Sequence, residues 1–137
     1  MNPRQVADYM FNQDYFSQWM NIKMIEVKEN YCLIEMPIKK DMLNGLKTVH
    51  GGVTFAFADS ALAFSSNNTG DAAVALNCII NFTRAGKECD IFRAESVLVN
   101  DTRKTAVYDI QITNQNKELI AKFVGTVYKI GKKVTEL

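Results

Sequence analysis

Apolar and polar positions alternate over most of the second half of the chain. In residues 74–82, Val74, Leu76, Cys78, Ile80 and Phe82 fall on one side, and Ala75, Asn77, Ile79 and Asn81 on the other. That period of two predicts a strand. Residues 91–99 and 105–113 behave alike, with Ala106, Tyr108, Ile110 and Ile112 as the apolar face of the second run. Asn114-Gln115-Asn116-Lys117 reads as a hairpin turn into a last strand over 118–130. Nearer the start, 22–28 and 31–38 predict two strands turning at Glu29-Asn30. Two short helical pieces precede them. Val6, Met10 and Tyr9 share one side of the first, and Asp14 is a natural N-cap for the second, 15–20.

Residues 51–64, Gly-Gly-Val-Thr-Phe-Ala-Phe-Ala-Asp-Ser-Ala-Leu-Ala-Phe, break the alternation. Apolar side chains point in nearly every helical direction, and a helix that is apolar all round is buried on most sides. A polar turn over 65–71 ends it, and a loop over 41–50 containing Asn44-Gly45 leads into it. Hairpin-linked strands make an antiparallel sheet. The expected fold is therefore α+β: one curved antiparallel sheet wrapped around a long central helix, the hotdog arrangement, with short N-terminal helical segments. At 137 residues, the chain is expected to be one domain over 1–137.

Composition narrows the function classes. Sixteen basic against fifteen acidic residues give a formal charge of +1, which argues against a dedicated nucleic-acid binder. Three cysteines, Cys32, Cys78 and Cys89, lack a C-x-x-C spacing, and with a single histidine they exclude the usual zinc sites. A cytoplasmic, reducing location is the simplest reading. No signal-peptide core and no membrane-length apolar run is present, so no membrane partner is expected.

The candidate chemistry centres on Asp59, a carboxylate among Phe55, Ala56, Phe57, Ala58, Ala61, Leu62 and Ala63. Burial would raise its pKa and suit it to act as a base. A position at the exposed edge of the helix, or a capping role, would also account for it. His50-Gly51-Gly52 stands where the helix begins. Unpaired N–H groups and a partial positive charge there can hold an oxyanion, and glycines let a ligand approach. They also fit a plain tight entry to a buried helix. Gly52 and Asp59 lie on nearly the same face, about 10 Å apart along the axis. One straight helix cannot bring both to a single carbonyl. If they serve one substrate, the Asp comes from a second copy across a two-fold interface. His50 suits holding the loop, and Asn44 suits a turn, a substrate contact or positioning of the attacking water.

Asn44, His50-Gly51-Gly52 and Asp59 within Phe57-Ala58-Asp59-Ser60 resemble the hotdog-fold acyl-CoA thioesterases of the phenylacetic-acid-degradation type. The resemblance spans about 15–130. It implies that Asp59 is nucleophile or general base, that the Gly51 amide polarises the thioester carbonyl, that Asn44 places water or thioester, and that His50 supports the loop. It implies that the segment containing Phe82, Thr83, Arg84 and Lys87, with the turn holding Arg103 and Lys104, cradles coenzyme A. Gly52 would adjoin the substrate. Arg84, Lys87, Arg103 and Lys104 would meet phosphates, or else be solvated surface charges. It further implies an acyl-CoA substrate, no separate cofactor, no metal, and a homo-oligomer, usually a dimer of dimers (a homotetramer). Two departures stand out. Ala75 occupies a strand position that in the family often carries Ser or Thr facing the thioester, leaving Asn77 to supply a polar contact. Ala85 replaces a frequent proline. Phe55, Phe57, Leu62 and the helical N-terminus are expected to form the acyl pocket. A non-catalytic acyl-CoA-binding module is the alternative. A hotdog hydratase or dehydratase is disfavoured, because one histidine with no partner carboxylate is a poor fit to that chemistry.

Overall fold

A computed structural model describes residues Met1 to Leu137. The elements are α1 (Pro3–Phe11), α2 (Tyr15–Trp19), β1 (Lys23–Lys28), β2 (Tyr31–Pro37), α3 (Gly51–Ser66), β3 (Asp71–Phe82), β4 (Ile91–Asp101), β5 (Thr105–Thr113) and β6 (Leu119–Lys133). Short 3-10 turns occupy Lys40–Met42 and Val134–Glu136. Local chemistry accounts for the helix starts. Asn2 and Gln5 cap α1 reciprocally at 2.9 Å each, with Pro3 at its first position. Asp14 accepts the Ser17 N–H at 2.9 Å to open α2, as expected from the sequence.

All strand pairs are antiparallel, and the sheet order is β1-β2-β4-β5-β6-β3. This is the hotdog fold: one six-stranded sheet holding one long helix. α3 packs Phe57, Ala58, Ala61, Leu62 and Phe64 into a core with Ile34, Met36, Phe92, Ile110 and Phe123, all essentially inaccessible. Gly125 on β6 permits the close approach, since a Cβ there would sit 2.7 Å from Leu62 Cδ2. Ser65 Oγ and Ser96 Oγ lie 2.7 Å apart and tie the helix to β4. The crossover through α3 leaves β3 at the free edge of the sheet, beside β6 alone.

Two expectations need correction. α3 is not buried all round: Gly52, Phe55 and Asp59 form an exposed line along it. The spacing of three and four residues puts them on one face. The alternation in β3 is also not continuous. A bulge lies between Ala75, paired with Val127, and Asn77, paired with Thr126. The extra residue, Leu76, flips the pattern. Ala75, Cys78, Ile80 and Phe82 therefore share the helix-facing side with buried Val127, Phe123 and Ala121 across the pair, while Asn77, Ile79 and Asn81 face outward.

Candidate active site

The start of α3 is organised by His50. Its Nδ1 accepts the Gly52 N–H at 2.8 Å, and its carbonyl accepts the Val53 and Thr54 N–H groups at 2.9 and 3.3 Å. A helix start leaves its first four amides without helical partners. Here three are satisfied, and the Gly51 N–H alone has no acceptor. It stands at the positive end of a sixteen-residue helix. A Cβ on Gly51 would meet the Phe82 ring at 3.3 Å, so the aromatic ring lies directly over this glycine.

The preceding loop is fixed by Asn44. Its Oδ1 accepts from the Leu46 N–H at 2.9 Å and from the Thr48 N–H and Oγ1 at 3.2 Å each. The turn role is thus filled by the oxygen, and the Nδ2 donor has no partner within the chain. A cavity of about 340 Å³ opens beside the helix start, lined by Gly51, Thr54, Phe82, Thr83, Arg84 and Gly86 among others. Arg84 pairs with Glu118 at 3.2 Å. The Asn114 side chain, then Arg84, Asn116 and Lys87 hold the Glu118 carboxyl below its usual pKa, in that order among the lowering influences. Arg84 and Lys87 therefore share one end of the sheet.

Arg103 and Lys104 do not join them. They lie in the β4–β5 turn, at the end where Val74, Tyr128 and Thr105 are paired. Phe82 is paired with Ala121, seven residues away along β6, about 24 Å at 3.4 Å per residue. Within one chain the two basic segments sit at opposite ends of the sheet, so a single cradle formed by both is excluded.

Asp59 lies eight residues beyond Gly51, about 12 Å along α3. Its side chain is open to solvent at the surface of the single chain, the exposed edge of the helix that the sequence had left open beside a buried position. It nevertheless lines a cleft of about 200 Å³ with Leu62, Ala63, Ala73, Ala75 and Val127. Those apolar walls raise its pKa by desolvation, and the charge of Asp14 raises it further. Burial, and then the Asp59 charge, raise the pKa of the Cys78 thiol on β3. Ala75 thus faces this cleft. Asn77 is on the opposite side of the sheet and cannot supply the missing polar contact.

Of the expected acyl-pocket residues, Phe57 is fully buried in the core and lines no opening. Leu62 reaches the Asp59 cleft, and Phe55 is exposed with its ring edge-on to Phe123 at 5.2 Å. The N-terminal helices come closer to Asp59 than the sequence indicated. Ser17 Oγ donates to Asp14 Oδ2 at 2.6 Å and lies 2.8 Å from Ser60 Oγ, next to Asp59 in α3. Asp14 was legible as a cap, but nothing in the sequence joins Ser17 to Ser60. No group of three or more His, Cys, Asp or Glu side chains is placed to hold a metal ion, and no helix is long and apolar enough to cross a membrane.

The sequence profile described as "Thioesterase superfamily" matches residues 46–121, the stretch that holds the helix start, Asp59, the bulged strand and the Phe82–Lys87 segment. The acyl-coenzyme A thioesterase PaaI of Escherichia coli is 36% identical over 131 residues, covering 96% of this chain and 94% of that protein. The solved structure of E. coli PaaI, from the phenylacetic acid degradation operon, superposes with a TM-score of 0.94 at 35% identity, covering 96% of this chain and 95% of that one. A variant of the phenylacetic acid degradation protein PaaI from Thermus thermophilus gives 0.82 at 32% identity, over 85% of this chain and all of that one. A Streptococcus mutans protein solved with acetyl-CoA bound gives 0.79 at 31% identity, over 82% and 90%. The shared sheet and helix, the free amide at Gly51 and the agreement in sequence along nearly the whole length lead to one conclusion: this chain belongs to the thioesterase superfamily and is a thioester hydrolase of the hotdog fold.

Proposed function

We propose that the protein hydrolyses an acyl-CoA thioester to a free acid and coenzyme A, at a site completed by a second copy of the chain. The observation that carries this reading is the Gly51 N–H, the one amide at the start of α3 without an acceptor, beside a cavity shared with Thr83 and Arg84. The thioester oxygen docks on that amide, where the helix end favours the negative charge that develops on attack. Asp59 takes a proton from water as the water adds to the carbonyl carbon, or adds to that carbon itself. The C–S bond then breaks, and the thiolate leaves and is protonated; on the covalent route water next cleaves the acyl–Asp59 anhydride, releasing the acid and restoring the carboxylate. Asn44 Nδ2 positions water or thioester, and His50 holds the loop. The coenzyme arm lies along Gly52, Phe82, Thr83, Arg84 and Lys87, and Ala75 faces the reacting group. The Mechanism calls for no added cofactor and no metal.

About 12 Å of helix separates Gly51 from Asp59, so the two belong to different protomers at any one carbonyl. The free edge of β3 supports such a pairing. Val74, Leu76, Ile79 and Phe82 are each more than half exposed along it, and an unpaired apolar edge is normally covered. A two-fold pair joined along β3 would set the sheet end that carries one chain's Arg103 and Lys104 toward the Phe82 end of the partner's β3. A dimer of dimers in the cytoplasm extends the same reading. Structures of relatives with bound acetyl-CoA and coenzyme A agree with the substrate class.

The test is thiol release from a panel of acyl-CoAs. The wild type is expected to turn over, and Asp59→Ala to lose about a hundredfold or more. Hydrolysis that survives Asp59→Ala would overturn the mechanism. Binding without turnover by the wild type would instead make the protein an acyl-CoA-binding module. Single turnover in labelled water separates the two roles of Asp59, since label in its side chain means covalent attack.

A further inference from the structure

We propose that the acyl part of the substrate runs from Asp59 past Ala63 and Ala73 into an open groove beside α1, and that this groove selects uncharged apolar acyl groups longer than acetyl. The inference rests on the thioesterase reading above and deepens it. The groove holds about 470 Å³ and is walled by Tyr9, Met10, Ala63, Ala73, Val134 and Leu137. The Asp59 cleft is lined by the same Ala63 and Ala73, so the two depressions adjoin at these alanines. Ala63 lies one helical turn beyond Asp59 on the same face, about 6 Å along the axis. An acetyl group ends before this threshold, whereas a longer chain crosses it.

One buried side chain sets the threshold. Asn67 Nδ2 donates to the carbonyls of Ala63 at 3.0 Å and Ala73 at 3.2 Å, and Asn67 Oδ1 accepts the Ala73 N–H at 2.8 Å. Both alanines are thereby fixed relative to each other, and their methyl groups leave room for a chain between helix and strand. Asp14 lines the same groove, so an acyl tail ending in a carboxylate meets a like charge.

Thiol release from acetyl-, butyryl-, hexanoyl- and octanoyl-CoA tests this. Once the chain passes Ala63, kcat/KM is expected to rise about fourfold per buried methylene, equivalent to about 0.8 kcal/mol. Ala63→Leu narrows the threshold, and Met10→Glu places a charge in the groove. Each is expected to lower the octanoyl-to-acetyl ratio of kcat/KM at least tenfold. The ratio is taken within one preparation, so a poorly folded variant loses both activities together and leaves it unmoved. An unchanged ratio in both variants overturns the groove while the thioesterase reading stands. No thiol release by the wild type at any chain length overturns that reading, and the groove with it.

Discussion

Ser60 donates a hydrogen bond to Ser17: the two Oγ atoms are 2.8 Å apart, and the only hydroxyl hydrogen of Ser17 is already committed to Asp14 at 2.6 Å. Both serines are buried. The result is a short chain of hydrogen bonds from the α3 turn that carries Asp59 to a second carboxylate on the N-terminal helices. It fixes Asp14 where its charge acts on Asp59.

Asp14→Asn removes that charge while keeping a side-chain oxygen able to cap α2. A negative neighbour raises a carboxyl pKa, so its removal lowers the pKa of Asp59. The base form then persists to lower pH. The acid limb of the kcat/KM profile is expected to move to lower pH in the variant. A profile superimposable on the wild type would show that the Asp14 charge does not reach the base.

Asp59 is also a source of stability that varies with pH. Its folded pKa lies above the unfolded value, so the folded state binds the proton more tightly. The penalty from its charge is absent below the unfolded pKa and grows as pH rises through the folded pKa. Asp59→Asn is therefore expected to melt higher than the wild type at pH 7, with the difference closing toward pH 3. Solvent at the exposed side chain keeps the gain below about 1 kcal/mol. Parallel melting curves at the two pH values check it.

His50→Ala removes the acceptor of the Gly52 N–H. Loss of a helix cap costs about 1 kcal/mol, readable as a lower urea midpoint at unchanged slope. Turnover is expected to fall less than in Asp59→Ala, because His50 orients the amides without taking the proton. His50→Asn, which restores a capping oxygen, is expected to recover most of the stability.

Gly86→Ala probes the wall of the cavity beside the start of α3. A Cβ there would lie 2.3 Å from Phe92 Cζ and 2.8 Å from Val49 Cγ2. Phe92 is fully buried and cannot swing away. Overpacking of this kind costs about 1–3 kcal/mol, and denaturant unfolding is the measurement.

Much of the architecture was legible because the strand faces alternate and the helix between them, apolar in nearly every direction, interrupts that alternation. The helix start was legible for the same local reason: His50, Gly51 and Gly52 are neighbours, and their geometry depends on one another. The bulge was not. No glycine or proline marks Leu76, and uninterrupted alternation put Ala75 on the same side as Asn77, Ile79 and Asn81, when the bulge turns it to the other. The placement of Arg103 and Lys104 also escaped, because it depends on β3 pairing with β6 rather than with its sequence neighbour. The choice between a buried and an exposed Asp59 stayed open for a related reason. An apolar composition says that a helix is covered, but not by which chain. The Ser17–Ser60 contact spans 43 positions and joins two residues of a very common type.

The extra residue in β3 has one more consequence. At Leu76 the row of unused backbone donors and acceptors along the open margin falls out of step. A strand that pairs across that point must match the step with an irregularity of its own, which a second copy of the same strand carries. The margin thus carries its own punctuation mark, which favours a closed pair of molecules over an unending ribbon.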